Sequence, residues 1–107
     1  MNQPISITAI SSISPLGFIK ETIWGNYKSN AHFFNEKDGT FVAELSREAK
    51  KEIEKLRQSN TKYKQLDDSV LFGIFSAREV IKEAGWSASD NFGINIGSSR
   101  GATGLFE

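Results

Sequence analysis

Cysteine is missing from all 107 residues. That excludes disulfides, thiolate metal sites and a cysteine nucleophile within the chain. Histidine occurs once, at His32, and methionine once, at Met1. A single imidazole is too few for a histidine metal centre, which needs three or four ligands. Proline occurs only at Pro4 and Pro15. Net charge is also missing: 13 basic residues balance 13 acidic ones. That balance implies neither a nucleic-acid surface nor an anionic-membrane surface. No apolar run approaches the ~20 residues a membrane-spanning helix needs. The N-terminus lacks a basic region followed by an apolar run, so no signal peptide is read and a cytoplasmic location is expected. What is present suits a globular chain: 38% hydrophobic and 24% charged residues.

The pattern opens as a strand. Ile5, Ile7 and Ala9 share one parity, and Ser6, Thr8 and Ile10 the other. Ser14-Pro15 reads as an N-cap followed by proline at the first helical position. Leu16, Ile19, Ile23 and Tyr27 then follow at helical spacing, with Trp24 beside them. Asp38-Gly39 marks a turn, and "TFVAEL" a short strand. Ser46 can cap "SREAKKEIEKLRQ", whose thin stripe of Ala49, Ile53 and Leu56 predicts a surface helix. The longest helix is expected over "LDDSVLFGIFSAREVIKEAGW", capped by Asp67 or Asp68 and closed by Gly85. Val70, Ile74, Ala77, Ile81 and Ala84 should line its inner face, broadened by Leu71, Phe72, Phe75 and Val80. Trp86 should fold back on its last turn. "NFGINIG" alternates again and predicts a final strand.

The order is strand, helix, strand, helix, helix, strand. It favours an α/β class with part of the sheet parallel. Parallel strands need cover on both faces, and three helices hardly supply two covers. Leu105 and Phe106 look like the opening of a further helix or docking segment. The end of the chain therefore reads as a junction inside a larger protein.

No catalytic set emerges from the residues. His32 has only Glu36 as a nearby carboxylate and reads as a loop residue before it reads as an acid or base. Asp67 and Asp68 are adjacent, so capping fits them better than paired acid–base work. The charges from Arg47 to Lys55 form a solvated helix face. Gly97, Gly101 and Gly104 follow the last expected strand, and Arg100 stands among them. Ser99 occupies the place where the dinucleotide fingerprint needs its second glycine, and no lysine follows Gly104. Small residues there suit tight passage against another domain or subunit better than a phosphate site. Ser11, Ser12 and Ser14 lack the base and orienting acid a nucleophile needs.

Several landmarks nonetheless resemble one family, the β-ketoacyl synthases. "ISITAISSISPLG" resembles that family's opening strand and turn: Thr8 matches, Ser14-Pro15-Leu16-Gly17 matches fully, and Ala9 replaces a usual glycine. Trp24 falls where the first helix often carries tryptophan. "SAREVIKEAGW", Ser76 to Trp86, is similar to a buried helix ending in alanine-glycine. "FGINIGSSRGATGLFE" resembles the strand and glycine-rich loop that follow.

The resemblance implies a partial thiolase-like fold, the first strands and helices of the N-terminal half of a protein several times longer. It implies an acyltransferase of fatty acid or polyketide synthesis, a homodimer or heterodimer served by acyl carrier protein. Such enzymes condense an acyl thioester with malonyl-acyl carrier protein and release carbon dioxide. Their cysteine nucleophile and two histidines match no position here. No catalytic, cofactor or metal residue is therefore assigned, no cofactor is expected, and neither nucleic acid nor membrane is an expected partner. The loop Gly97, Ser98, Ser99, Arg100 and Gly101 is carried over as an acyl-pocket or dimer-interface loop. Arg100 departs from the family's apolar or small residue; a guanidinium facing an acyl tunnel is costly unless paired. Tyr63 and Lys64 fall where the family often carries aromatic and basic residues near the active-site mouth. The competing readings are a short non-catalytic docking protein, akin to a chain-length factor, and a small nucleotide-binding module using the terminal glycines.

Overall fold

A computed structural model of the chain describes residues 2–101. Its elements are helix α1 (Lys20–Lys28), strands β1 (Asn35–Lys37) and β2 (Thr40–Val42), helix α2 (Arg47–Gln58), a single 3-10 turn (Thr61–Tyr63) and helix α3 (Asp68–Ala84). The element expected to open at Leu105-Phe106 lies outside the described residues.

The packed part is the α2–α3 pair. Ser46 caps α2 by accepting a bond from the Ala49 amide at 3.2 Å. Ala49, Ile53 and Leu56 recur at helical spacing and are buried, as their stripe predicts. Asp67 caps α3, accepting from the Ser69 amide at 3.3 Å. Gly85 closes it at φ 73°, in the left-handed region that suits glycine. The Trp86 amide returns to Ile81 O and the Gly85 amide to Lys82 O, both at 3.2 Å. The Trp86 ring meets Phe92, with centroids 5.1 Å apart, and stays half exposed. Ile53, Leu56, Leu71 and Phe75 form the core, with Ile13, Phe18, Leu45, Tyr63, Leu66, Phe72 and Ile74 around it. The buried row of α3 is thus Leu71 and Phe75, four apart. The expected Val70–Ala84 stripe is half-buried, and its Ala77 is exposed.

Arg57 fastens the connection between the two helices. Its guanidinium donates to Leu66 O at 2.9 Å and to Lys64 O at 3.4 Å, and it pairs with Asp68. Phe18 reaches the same core edge-on to Phe75, with ring centroids 5.5 Å apart.

Three expectations need correction. The helix expected from Pro15 begins only at Lys20. Ser14 instead closes a turn: it exchanges backbone bonds with Gly17 at 2.9 and 3.1 Å, and its hydroxyl accepts from the Leu16 amide. Gly17 at φ 121° cannot continue into a helix. Second, residues 5–10 and 92–97 form no strand, although both alternate. Each lacks a neighbour whose backbone could complete a ladder. Third, the sheet among the described residues is an antiparallel hairpin, β1 with β2, paired Asn35↔Val42 and Lys37↔Thr40. Asp38 and Gly39, both at positive φ, form the expected turn. The class is mixed α and β, and the sheet is smaller than the sequence suggests.

Candidate functional site

The loop between α2 and α3 carries the most distinctive arrangement of charge. Asn60 accepts a bond from the Lys62 amide at 2.9 Å and starts the 3-10 turn that ends in Tyr63. The Tyr63 ring is half-buried against the core. Its hydroxyl accepts from Arg78 Nη2 of α3 at 3.0 Å, and the same guanidinium lies 5.6 Å from the ring centroid. The ring thereby holds Arg78 in place. Lys62 and Lys64 flank Tyr63 in the chain, and both are exposed.

None of these three cations has a carboxylate partner among the described residues. The same holds for Lys28, Arg47, Lys51, Lys82 and Arg100, so what marks the patch is the placement of Arg78 by Tyr63; other cations are committed. Arg57 is committed to two carbonyls, Asp68 and Glu54; Lys20 pairs with Glu83; Lys37 and Lys50 share Glu44. A guanidinium has five donors, and Arg78 spends one on Tyr63. The rest face solvent. The patch can hold an anionic oxygen, such as a carboxylate or phosphate on a partner's surface.

The residues singled out from sequence are dispersed. Gly97 to Gly101 is an exposed loop in which the Gly101 amide donates to Ser98 Oγ at 2.8 Å, with Gly101 at φ 70°. Arg100 is exposed and has no ion-pair partner among the described residues. His32 is exposed; its Nδ1 accepts from the Phe34 amide at 3.3 Å, and its ring stacks on Phe34. Among the described residues no hydrogen bond or ion pair joins it to Glu36; Glu44 and Glu48 line the same cleft. Asp68 serves Arg57 and Asp67 serves the helix cap, so the two do not form an acid–base pair. Among the described residues no three His, Asp or Glu side chains gather as metal ligands. No described helix is long and apolar enough to cross a membrane.

A second feature is an open groove of about 830 Å³ between α1 and α3. Ile10, Phe18, Ile23 and Trp24 form its walls, and the Lys20–Glu83 pair bridges its mouth. Its exposed lining is mostly apolar, and Glu79 and Lys82 of α3 also border it. Sequence reasoning named Tyr63 and Lys64 but not Arg78. Fifteen residues separate Arg78 from Tyr63, and only the fold of α3 back over the turn joins them.

Comparison with known proteins finds no matching family model, no similar curated protein and no similar solved structure.

Proposed function

We propose that the chain is the opening segment of a β-ketoacyl synthase, in which chemistry is done by residues outside these 107 and this segment supplies scaffold and carrier-protein contacts. The observation that carries the reading is the Ser14–Gly17 turn. The resemblance rests most heavily on Ser14-Pro15-Leu16-Gly17, and three of these residues shape the turn. Ser14 closes the turn through backbone and hydroxyl, and Pro15 presets its φ. Gly17 adopts φ 121°, and a Cβ on it would stand 3.2 Å from Thr22 Cγ2.

The patch of Lys62, Tyr63, Lys64 and Arg78 supports the partner half of the reading. An acyl carrier protein offers carboxylates and a phosphate, the oxygens this patch can receive. The exposed Gly97–Gly101 loop is proposed as the segment that reaches the acyl pocket or the dimer interface. Cytoplasmic location follows from this reading.

Two measurements test it. Titration of the chain with holo acyl carrier protein should give salt-sensitive binding, weakened at least about tenfold by Lys64→Glu with Arg78→Glu. Binding unchanged by those substitutions overturns the partner assignment. Separately, the native product detected through peptides of this segment should be several times longer than 107 residues and contain cysteine. A native product of 107 residues overturns the synthase reading in favour of a short, non-catalytic docking protein.

A further inference from the structure

Aspartate occurs at Asp38, Asp67, Asp68 and Asp90, and only Asp38 precedes a glycine. Asp38-Gly39 is the two-residue turn between β1 and β2, closed by the pairing of Lys37 with Thr40. φ is 52° at Asp38 and 78° at Gly39, the doubly positive geometry of a tight hairpin turn. Both residues are exposed. We propose that Asp38-Gly39 is a site of spontaneous covalent modification, at which Asp38 converts to isoaspartate and the hairpin opens. This goes beyond the synthase reading and does not rest on it.

Both reacting groups lie within the turn. The Gly39 amide makes no hydrogen bond to another described residue. Its nitrogen attacks Asp38 Cγ and closes a five-membered ring. The nitrogen–carbon bond forms, and one carbon–oxygen bond of the carboxyl group, in its acid form, breaks. That oxygen leaves as water, with its own hydrogen and the amide hydrogen. Water then adds to either ring carbonyl. Opening on the Cγ side restores aspartate. Opening on the backbone side leaves the chain running through Cβ and Cγ, with the former backbone carbonyl as a free carboxylate. Atoms and charge end as they began, and no oxidant or cofactor takes part.

Three observations single out Asp38. First, the other carboxylates are held: Asp67 accepts from the Ser69 amide at 3.3 Å, Asp68 pairs with Arg57, and Asp90 accepts from the Ser87 amide at 2.6 Å. Among the described residues no hydrogen bond or ion pair restrains the Asp38 carboxylate. Second, the residues after the others, Asp68, Ser69 and Asn91, carry side chains that crowd the attacked bond. A Cβ at Gly39 would meet nothing within 4 Å, so the turn has room for the rotation that ring closure needs. Third, Asp67 and Asp68 start α3, whereas Asp38 joins strands of three residues each. The conversion also undoes the turn. Isoaspartate adds a carbon to the backbone, and a two-residue turn no longer closes the Lys37–Thr40 pair. Lys37 then leaves Glu44, to which it donates at 3.1 Å.

The test ages the full chain at neutral pH and reads each aspartate by electron-transfer fragmentation, which separates isoaspartate from aspartate. Isoaspartate should accumulate at Asp38 at least about tenfold faster than at Asp67, Asp68 or Asp90. In heavy-oxygen water the product should carry one labelled oxygen at that residue. Asp38→Asn tolerates positive φ and expels ammonia in place of water, so it should convert at least about tenfold faster. Gly39→Asn also tolerates positive φ but crowds the nitrogen, and should slow conversion at least about tenfold. In the converted chain the Glu44 carboxyl should titrate higher than in the fresh chain, because Lys37 no longer reaches it. Helical circular dichroism should not change, since no hairpin residue belongs to the α2–α3 core. Any one of the following overturns the proposal: an intact Asp38, equal conversion at all the aspartates, an unlabelled product, Asp38→Asn no faster or Gly39→Asn no slower than the unaltered chain, or an unmoved Glu44 after conversion.

Discussion

Glu44 illustrates how much a single exposed side chain can be tuned by its neighbours. It sits between β2 and α2, and its carboxylate accepts from Lys50 Nζ at 2.6 Å and from Lys37 Nζ at 3.1 Å. The hydrogen bond from Lys50, then that from Lys37, lowers its pKa from 4.5 to about 2. Because the folded value lies below the ordinary one, the bridge stabilises the fold above pH 4.5. That contribution fades as pH falls from 4.5 and is lost below about 2. Carbon-13 titration of the Glu44 carboxyl should find a midpoint near 2. Lys50→Met should return it toward 4.5 by more than Lys37→Met does, since the Lys50 bond is the larger cause. A midpoint already at 4.5 in the unaltered chain would mean that the bridge between hairpin and helix does not form in solution. The contribution to stability is small in any case, because all three groups face water.

At the scale of elements, the helices with local signals and the short strand β2 beside the Asp38-Gly39 turn were legible; β1 was not, and the two longer alternating segments misled. Ser46, Asp67 and Gly85 each act through a neighbour within a few residues, so a cap can be read without knowing the fold. A strand is different: Ile5 and Ile7 alternate as a strand should, yet alternation makes no hydrogen bond until a second backbone arrives. The Ser14-Pro15 start of the first helix misled for a local reason, since Ser14 is equally able to close a turn ahead of a positive-φ glycine. The inner face of α3 was legible only in part, because a helix apolar around most of its surface does not declare which row is buried. Arg78 joined the candidate site through tertiary folding, and sequence spacing carried no sign of that. The row that matters can be measured. Leu71 is fully buried, so Leu71→Ala should cost about 2–5 kcal/mol in urea unfolding followed by helical circular dichroism. Ala77→Lys, on the stripe that periodicity favours but in an exposed position, should change stability by less than about 0.5 kcal/mol. The reverse order would place the core on the other face of α3.

The whole molecule is a small packed centre with long extensions. Five apolar residues are buried among those described, and all lie on α2 and α3. The radius of gyration is 16.4 Å, whereas a compact domain of this length would have about 13 Å. Such a body should open in parts, its extensions being the least protected. Thermolysin cuts before large apolar residues and reads this directly, because nicking concentrates in exposed chain that is not packed. Early cleavage is expected before Ile5, Ile7, Ile94 and Ile96, all exposed by 77% or more. Bonds before Ile53, Leu56, Leu71 and Phe75 should survive until the α2–α3 core opens. Simultaneous cleavage at core and extension sites would mean that α2 and α3 do not form a stable unit. Resistance of both extensions in dilute solution would mean that they fold back on the body.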